Sequence, residues 1–259
     1  MPCPKAQPCW RTRATTATLS VRPLQPEKPG PTSRRGPTAD VERFFIGSQT
    51  RQHIFPEAPK PQFAGQLSIR WMAPGPQLAD EGWYVSEVGR LGYYYLPQDL
   101  VYVASVINLP EWRWFTEEDA RAKLTELLDS MTAPAIRELR SRLDDRSEVI
   151  GRPFESILVP NPWYRGRILL IGDAAHATSA HMGMGGGMAL EDAVVLGQSI
   201  ASEATLDEAL SAFMRRRFER VKLVVETSVK LGQLEQEKAP PGENVALLTR
   251  AFAAISEPY

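Results

Sequence analysis

Hydrophobic and polar positions alternate along residues 63 to 110 of this 259-residue chain, in short runs separated by Gly, Pro and Asp. Alternation with a period of two, bounded by turn residues, predicts β-strands. The predicted strands are 66–73, 82–88, 92–96 and 100–107. Because the connections between them are short, the pattern favours an antiparallel sheet.

A helical pattern follows the predicted sheet. Thr116 is a suitable N-cap because three acidic residues follow it in the first turn, where the helix dipole favours negative charge. Pro134 divides this region into two helices, since proline interrupts the hydrogen-bond ladder. The predicted helices are 120–131, 134–143, 188–201 and 207–234. On the last of them we expect a solvated face with four arginines: Arg215, Arg216, Arg217 and Arg220.

Residues 1 to about 40 show neither period. They are rich in Pro, Arg, Thr and Ser and nearly free of acidic residues, which predicts a disordered segment. Two other interpretations stay open: a transit peptide, and a start site that is not the natural one, through a frameshift or a misplaced start.

Composition narrows the function classes. A hydrophobic share of 43% is usual for a globular chain, and a net charge of -1 argues against a nucleic-acid surface. The sequence has no run of eighteen apolar residues, so we expect no membrane span. Cys3 and Cys9 are the two cysteines, and the three histidines are scattered, which argues against a disulfide framework and a metal site. A cytoplasmic setting is expected.

The segment from Arg167 to Ile200 carries the candidate chemistry. A short apolar run, 167–171, predicts a buried parallel strand that ends at Gly172, with Asp173 at the edge where α/β sheets bind ligands. A glycine-rich loop then leads into a helix predicted to start near Met188. Glycines let backbone approach a planar ligand, and free N–H groups at a helix start favour negative charge. The Asp173 carboxylate suits sugar-alcohol hydroxyls.

The order of these residues resembles the second FAD fingerprint of the class A flavoprotein monooxygenases, the para-hydroxybenzoate and salicylate hydroxylase family. The matching residues are Gly172-Asp173-Ala174-Ala175-His176, then Gly183-x-Gly185-x-Gly187, then Glu191-Asp192-Ala193. The resemblance runs from about Gly47 to about Leu234 and therefore covers most of the chain.

The resemblance implies an α+β fold, in which an antiparallel substrate-domain sheet packs on a partial FAD-binding α/β domain of the Rossmann-like, glutathione-reductase type. We therefore divide the chain into four segments. They are a disordered or non-native segment (1–43), the substrate-domain sheet and helices (44–155), the second half of the FAD-binding domain (156–235) and a C-terminal tail or helix (236–259).

The resemblance also implies a reaction. In this family NADH or NADPH reduces FAD, O2 adds at flavin C4a, and the hydroperoxide hydroxylates an aromatic or similar small organic substrate. It assigns no catalytic side chain here. The residues implied for FAD are Arg51, Gly172, Asp173, Gly183, Gly185, Gly186, Gly187 and Met188. The residues expected near the substrate are Tyr93, Tyr95, Ala180 and His181.

The sequence departs from the family pattern in three ways. It contains no GxGxxG strand–turn–helix unit, which would bind the ADP part of FAD. The stretch from Phe44 to Arg51 keeps Ser48 and Arg51 but lacks the preceding Asp-Gly, and Ala180 replaces a proline. Three interpretations stay open: a truncated monooxygenase, a non-catalytic fragment, and a subunit whose ADP-binding half comes from a partner chain.

Overall fold

A computed structural model describes residues 47–78 and 82–258 of the chain, so the segment 1–43 lies outside the described residues. Helices and strands alternate irregularly along the chain. In order they are α1 (Gln49–Ile54), β1 (Gln62–Pro74), β2 (Trp83–Val85), β3 (Gly89–Leu96), β4 (Leu100–Asn108), α2 (Glu117–Asp129), α3 (Pro134–Arg142), β5 (Val149–Ser156), β6 (Tyr164–Arg165), β7 (Ile168–Leu169), α4 (Asp173–His176), α5 (Gly185–Ser202), α6 (Leu206–Gln236) and α7 (Pro241–Ser256).

The main sheet has the strand order β2-β3-β4-β1-β5, and every neighbouring pair is antiparallel, as the strand pattern predicts. The edge strand β5 was not predicted, because Gly151 and Pro153 interrupt its apolar pattern. An edge position explains why it tolerates Pro153, which has no N–H to donate to a further strand.

Side-chain alternation gives the sheet two unlike faces. Leu67, Ile69 and Trp71 of β1 are buried together with apolar side chains of α2 and α3, and they form one hydrophobic core. The intervening positions, such as Ser68 and Arg70, must point to the opposite face. That second face borders the glycine-rich loop, and residues of both line a cavity.

The helix boundaries follow the predicted capping signals. Thr116 and Asp119 form a capping box: the Asp119 N–H donates to Thr116 Oγ1 at 3.1 Å, and the Thr116 N–H donates to Asp119 Oδ2 at 3.1 Å. Pro134 stands at the first position of α3, where its missing N–H is tolerated. Both predictions are confirmed.

The predicted buried parallel strand at 167–171 is wrong. Only Ile168 and Leu169 form a strand, and it pairs antiparallel with β6 across a turn in which Gly166 has φ +58°. Ile168 and Ile171 are exposed, while Leu170 is buried. The reason is that none of the described strands lies parallel to this segment, so its backbone pairs with the residues just before it.

The second hydrophobic core lies around α5, α6 and α7, and it includes Val195, Phe213, Val224 and Ile255. None of the helices in the described ranges is long and apolar enough to cross a lipid bilayer.

Candidate flavin and substrate site

A sharp turn presents Asp173 at the end of β7. Gly172 has φ +56° and ψ -145°, and a Cβ there would lie 3.2 Å from the Ala189 side chain, so only glycine fits. Asp173 follows as the first residue of α4 and is exposed. The surrounding protein still removes enough water to raise the pKa of Asp173, an effect that the nearby His176 partly opposes.

The glycine-rich loop leaves its backbone accessible. At Gly183, with φ +66°, and at Gly186, an added Cβ would meet no atom within 4 Å. Helix α5 begins at Gly185, three residues before the predicted start, and its N-cap Met184 makes no side-chain capping bond. The first N–H groups of α5 therefore lack intrahelical acceptors and point out of the helix end. The Met188 side chain, in contrast, is buried in the core.

The Arg51 side chain is hydrogen-bonded to the backbone of the same turn. It lies in α1 and is buried, and its guanidinium donates to the Ala174 carbonyl at 2.8 Å. Burial lowers the pKa of Arg51. Ser48 caps α1 by accepting from the Arg51 N–H at 3.1 Å. The structure thus brings Arg51, Gly172 and Asp173 together, with Arg51 bound to the backbone of the turn.

A buried carboxylate ties this turn to the two long helices. The Asp192 side chain in α5 is fully buried, and its Oδ2 accepts from the Gly172 N–H at 2.9 Å. The same oxygen lies 2.7 Å from His176 Nε2, and Oδ1 accepts from Arg217 Nε at 2.8 Å. Burial acts to raise the pKa of Asp192, but its bonds to His176, Gly172 and Arg217 outweigh burial and lower it.

The prediction of a solvated face for all four arginines of α6 is wrong for Arg217. Its side chain is fully buried and binds Glu191 and Asp192, and it donates to the Met188 carbonyl at 3.0 Å. Arg217 lies three and four positions from the buried Met214 and Val221, so it shares their helix face, whereas Arg215 is exposed. Sequence periodicity places 217 on the apolar stripe, and this was the signal for its burial.

We call His176, Glu191, Asp192, Arg217 and Arg220 the α5–α6 cluster. Arg220 binds both oxygens of Glu191, at 2.8 and 3.0 Å. Burial tends to raise the pKa of Glu191, but the hydrogen bonds and charges of the two arginines lower it overall.

A cavity of about 340 Å³ separates the second face of the sheet from the glycine-rich loop. Small residues, Ser68 and Ala104, form part of its sheet side, and Ala180, His181 and Gly183 face them from the loop. Larger side chains enclose this space. They are Arg70, Trp83, Arg90, Tyr94, Tyr102, Val106, Phe154 and Met182.

Trp83 lies flat against the sheet because its cross-strand partner is a glycine. A Cβ on Gly92 would lie 2.9 Å from the Trp83 ring. The Arg90 guanidinium stacks over the same ring, 4.5 Å from its centre. Tyr94 and Tyr102 are stacked cross-strand partners with ring centres 6.3 Å apart. The cavity is therefore lined by flat, polarisable surfaces and by arginine.

The structure does not bring Tyr93 and Tyr95 to this cavity. Tyr93 is buried in the core that faces α2 and α3, and the Tyr95 hydroxyl donates to the Leu78 carbonyl at 2.5 Å. Tyr94, which is 50% exposed, points to the cavity instead. Because three tyrosines follow one another, the hydrophobic pattern does not show which side chains point to which face of the strand. The sequence therefore could not decide which tyrosine faces the loop.

Beside the cavity lies a second ionic group, which we call the cavity cluster: Gln66, Arg90, His181 and Glu235. Arg90 binds both carboxylate oxygens of Glu235, at 2.8 and 3.2 Å. The Gln66 amide donates to Glu235 Oε2 at 3.3 Å, and His181 Nε2 lies 3.4 Å from the same oxygen. Burial acts to raise the pKa of Glu235, but His181, Arg90 and Gln66 together lower it.

Gly232 lets α6 pass close to this cluster, since a Cβ there would lie 3.0 Å from both Gln66 Oε1 and the His181 ring. Ser179 Oγ lies 2.8 Å from His181 Nδ1. The sequence did not single out Arg90 or Glu235, which lie 145 residues apart and meet only in the folded chain.

Within the described ranges, no group of three or more His, Cys, Asp or Glu side chains could hold a metal ion. An exposed aspartate after β7, an open glycine-rich helix start and a sheet-lined cavity beside them make up the candidate flavin and substrate site.

Comparisons with known proteins also find similarity to FAD-binding proteins. A sequence family described as FAD binding domain matches residues 112–228. The chain is 28% identical over 194 residues to the aurachin C monooxygenase/isomerase of Stigmatella aurantiaca, covering 74% of this chain and 50% of that protein. It is 28% identical over 190 residues to the FAD-dependent urate hydroxylase of Klebsiella oxytoca, covering 69% and 47%.

Two solved structures share the fold. Klebsiella pneumoniae HpxO complexed with FAD and uric acid superimposes with a TM-score of 0.64 at 23% identity, covering 81% of this chain and 55% of that one. A salicylate hydroxylase substrate complex gives 0.63 at 20% identity, covering 79% and 57%. The chain is thus similar to FAD-dependent monooxygenases, which confirms the resemblance. It spans about half the length of the curated relatives named above.

Proposed function

We propose that the chain forms the flavin-contacting and substrate-binding half of an FAD-dependent monooxygenase that hydroxylates a flat, negatively charged aromatic or similarly conjugated molecule. The observation that carries this proposal is the cavity itself. Aromatic rings and two arginines line it, no carboxylate does so among the described residues, and it opens on the glycine-rich loop.

The residues present fit the flavin end of FAD. Asp173 is exposed at the turn, where its carboxylate is positioned to accept from ribityl hydroxyls. Open backbone at Gly183 and Gly186 admits a planar ring, and the N–H groups at the start of α5 favour the negative charge of a reduced pyrimidine edge. When bound, the flavin supplies the redox chemistry with O2, using NADH or NADPH as reductant.

Arg70 is the candidate anchor for the substrate's negative charge. It is exposed, lines the cavity and makes none of the ion pairs or hydrogen bonds found among the described residues. Arg90, the other arginine, is already bound to Glu235. Tyr94 and Trp83 offer ring faces for stacking.

A second candidate is a subunit that needs a partner chain for the ADP-binding half. The observation that favours it is an exposed apolar stripe on α5, in which Leu190 (72% exposed) and Val194 (48%) lie one turn apart. Contiguous exposed apolar surface marks interaction sites. The stripe lies on the same helix that starts at the flavin-facing loop, which suits packing against a GxGxxG unit.

The test is flavin retention by the full chain after incubation with FAD and desalting, followed by its visible absorption. We expect retained oxidised-flavin absorption in the wild type and about tenfold weaker binding in Asp173→Asn, from loss of a charge-assisted bond of about 1.5 kcal/mol. Because burial raises the pKa of Asp173, its ionised form is disfavoured without flavin, so this variant should be no less stable in a melting experiment.

Asp145→Asn is the matched control, since Asp145 is exposed. A colourless wild type would contradict independent flavin binding and would leave the partner-dependent subunit and the non-catalytic fragment. Flavin capture that appears only when a polypeptide with a GxGxxG unit is added would identify the subunit.

A further inference from the structure

Arg90, the second arginine of the cavity, is ion-paired with Glu235. Arg90 lines the cavity, but its Nε and one terminal nitrogen both bind Glu235, in the two-point geometry typical of arginine–carboxylate pairs. Glu235 belongs to α6 and is absent from the cavity lining. The Glu235 carboxylate thus binds the Arg90 guanidinium without itself lining the space that a ligand would occupy.

The groups around Glu235 hold it in this position. Gln66 Nε2 faces two acceptors, Glu235 Oε2 at 3.3 Å and Asn108 Oδ1 at 3.2 Å, which fixes the orientation of its amide. His181 approaches from the loop with Nε2 at 3.4 Å, and Phe154 of β5 packs edge-on against its ring with centres 5.3 Å apart. Because Arg90 and Gln66 both donate to its carboxylate, Glu235 has little freedom to leave Arg90.

The two arginines stand apart on the sheet. Arg70 is paired with Ala104 and Arg90 with Val106, so they lie on β1 and β3 with β4 between them. Two strand spacings and the two-residue offset along β4 put their backbones roughly 12 Å from each other. A small aromatic ring with two acidic groups is long enough to approach both side chains, whereas one with a single acidic group can pair with only one of them.

We propose that Glu235 is a specificity-determining residue, an internal counter-ion that cancels the charge of Arg90 and so restricts the cavity to substrates with a single negative charge. The inference rests on the proposed function, since it assumes that the cavity binds the substrate. Among the described residues that line the cavity, Arg70 is then the arginine that makes no ion pair. A second acidic group on the ligand would meet a guanidinium whose carboxylate partner is already in place.

The experiment uses the full chain, calorimetric titration at neutral pH, and three probes: benzamide (neutral), benzoate (one charge) and isophthalate (two charges). In the wild type we expect benzoate to bind more tightly than either of the others. In Glu235→Gln the isophthalate-to-benzoate affinity ratio should rise about tenfold, because Arg90 becomes available for a charge-assisted bond. Adding Arg90→Gln to this variant should return the ratio to the wild-type value.

Glu226→Gln, an exposed glutamate of the same helix, is the matched control and should leave the ratio unchanged. A ratio that stays constant or falls in a folded Glu235→Gln protein would overturn the inference, because a residue that only supports the fold can lower all three affinities but cannot raise one.

Arg70→Gln separates the two proposals. Loss of the benzoate preference over benzamide supports Arg70 as the anchor, whatever Glu235→Gln shows. A rise in the ratio for Glu235→Gln that Arg90→Gln cancels supports the inference even if Arg70→Gln has no effect. No binding of any acid to the wild type and to Glu235→Gln overturns both.

Discussion

The α5–α6 cluster and the cavity cluster both combine carboxylate, arginine and histidine side chains. They differ in how completely the polar atoms of these side chains are hydrogen-bonded. In the first, the carboxylates of Glu191 and Asp192 receive donors from two arginines, a histidine and a backbone N–H. In the second, Gln66 Oε1 and His181 Nε2 are buried without a hydrogen-bond partner. The first cluster is closed, and the second leaves polar atoms unpaired next to a cavity.

We take this difference to distinguish a hydrogen-bond network that supports the fold from one that belongs to a candidate binding site. A buried carboxylate with all its bonds made fixes one geometry, here that of the Gly172 turn against α5 and α6. Unpaired buried polar atoms are uncommon in folded proteins and call for a specific reason. In the cavity cluster the reason we infer is control of charge at the Arg90 guanidinium.

The largest expected effect comes from opening the closed cluster. Arg217→Met keeps most of the side-chain volume but leaves the buried Asp192 and the half-buried Glu191 with fewer positive partners, so the free energy of unfolding should fall by about 3–5 kcal/mol. Urea unfolding measures the change. Arg215→Met, on the exposed face of the same helix, should stay within about 0.5 kcal/mol. Equal losses in the two variants would show that burial of Arg217 does not matter.

A smaller change in the free energy of unfolding, one that depends on pH, is expected from replacing Asp192. The pKa of Asp192 is lowered on folding, so its stabilisation is fully present above the unfolded value of about 3.9 and is lost as pH falls through the folded-state value. Asp192→Asn should reduce the free energy of unfolding at pH 7 by about 1.5–3 kcal/mol. It should also flatten the loss of stability between about pH 4 and the folded-state pKa. Unfolding curves at several pH values, with Asp145→Asn as control, check this; parallel curves would contradict it.

The smallest effect should come from the cavity cluster. His181→Gln removes one hydrogen bond, to Ser179, while Nε2 makes none, so the free energy of unfolding should change by less than about 1.5 kcal/mol. Thermal and urea unfolding measure it. A loss as large as that of Arg217→Met would erase the distinction between the two clusters.

Local sequence signals predicted the structure correctly at positions where the chemistry of a single residue determines the backbone conformation. Gly172 adopts a left-handed conformation that glycine favours, Thr116 caps a helix through its own hydroxyl, and Pro134 begins one. The antiparallel sheet followed from alternation and short turns. The predicted parallel strand failed because pairing depends on which other strands lie beside it, and that is not a local property.

By itself, the sequence determined the first four strands of the main sheet, the starts of α2 and α3 and the order of the motif from Gly172 to Asp192, since these depend on backbone preferences and on spacing along the chain. Only the tertiary structure decided that Tyr94 rather than Tyr93 faces the cavity, that Arg217 is buried, and that Glu235 binds Arg90. The physical reason is that burial and ion pairing depend on the distances between distant segments, and a charged side chain takes its role from the partner that folding places beside it.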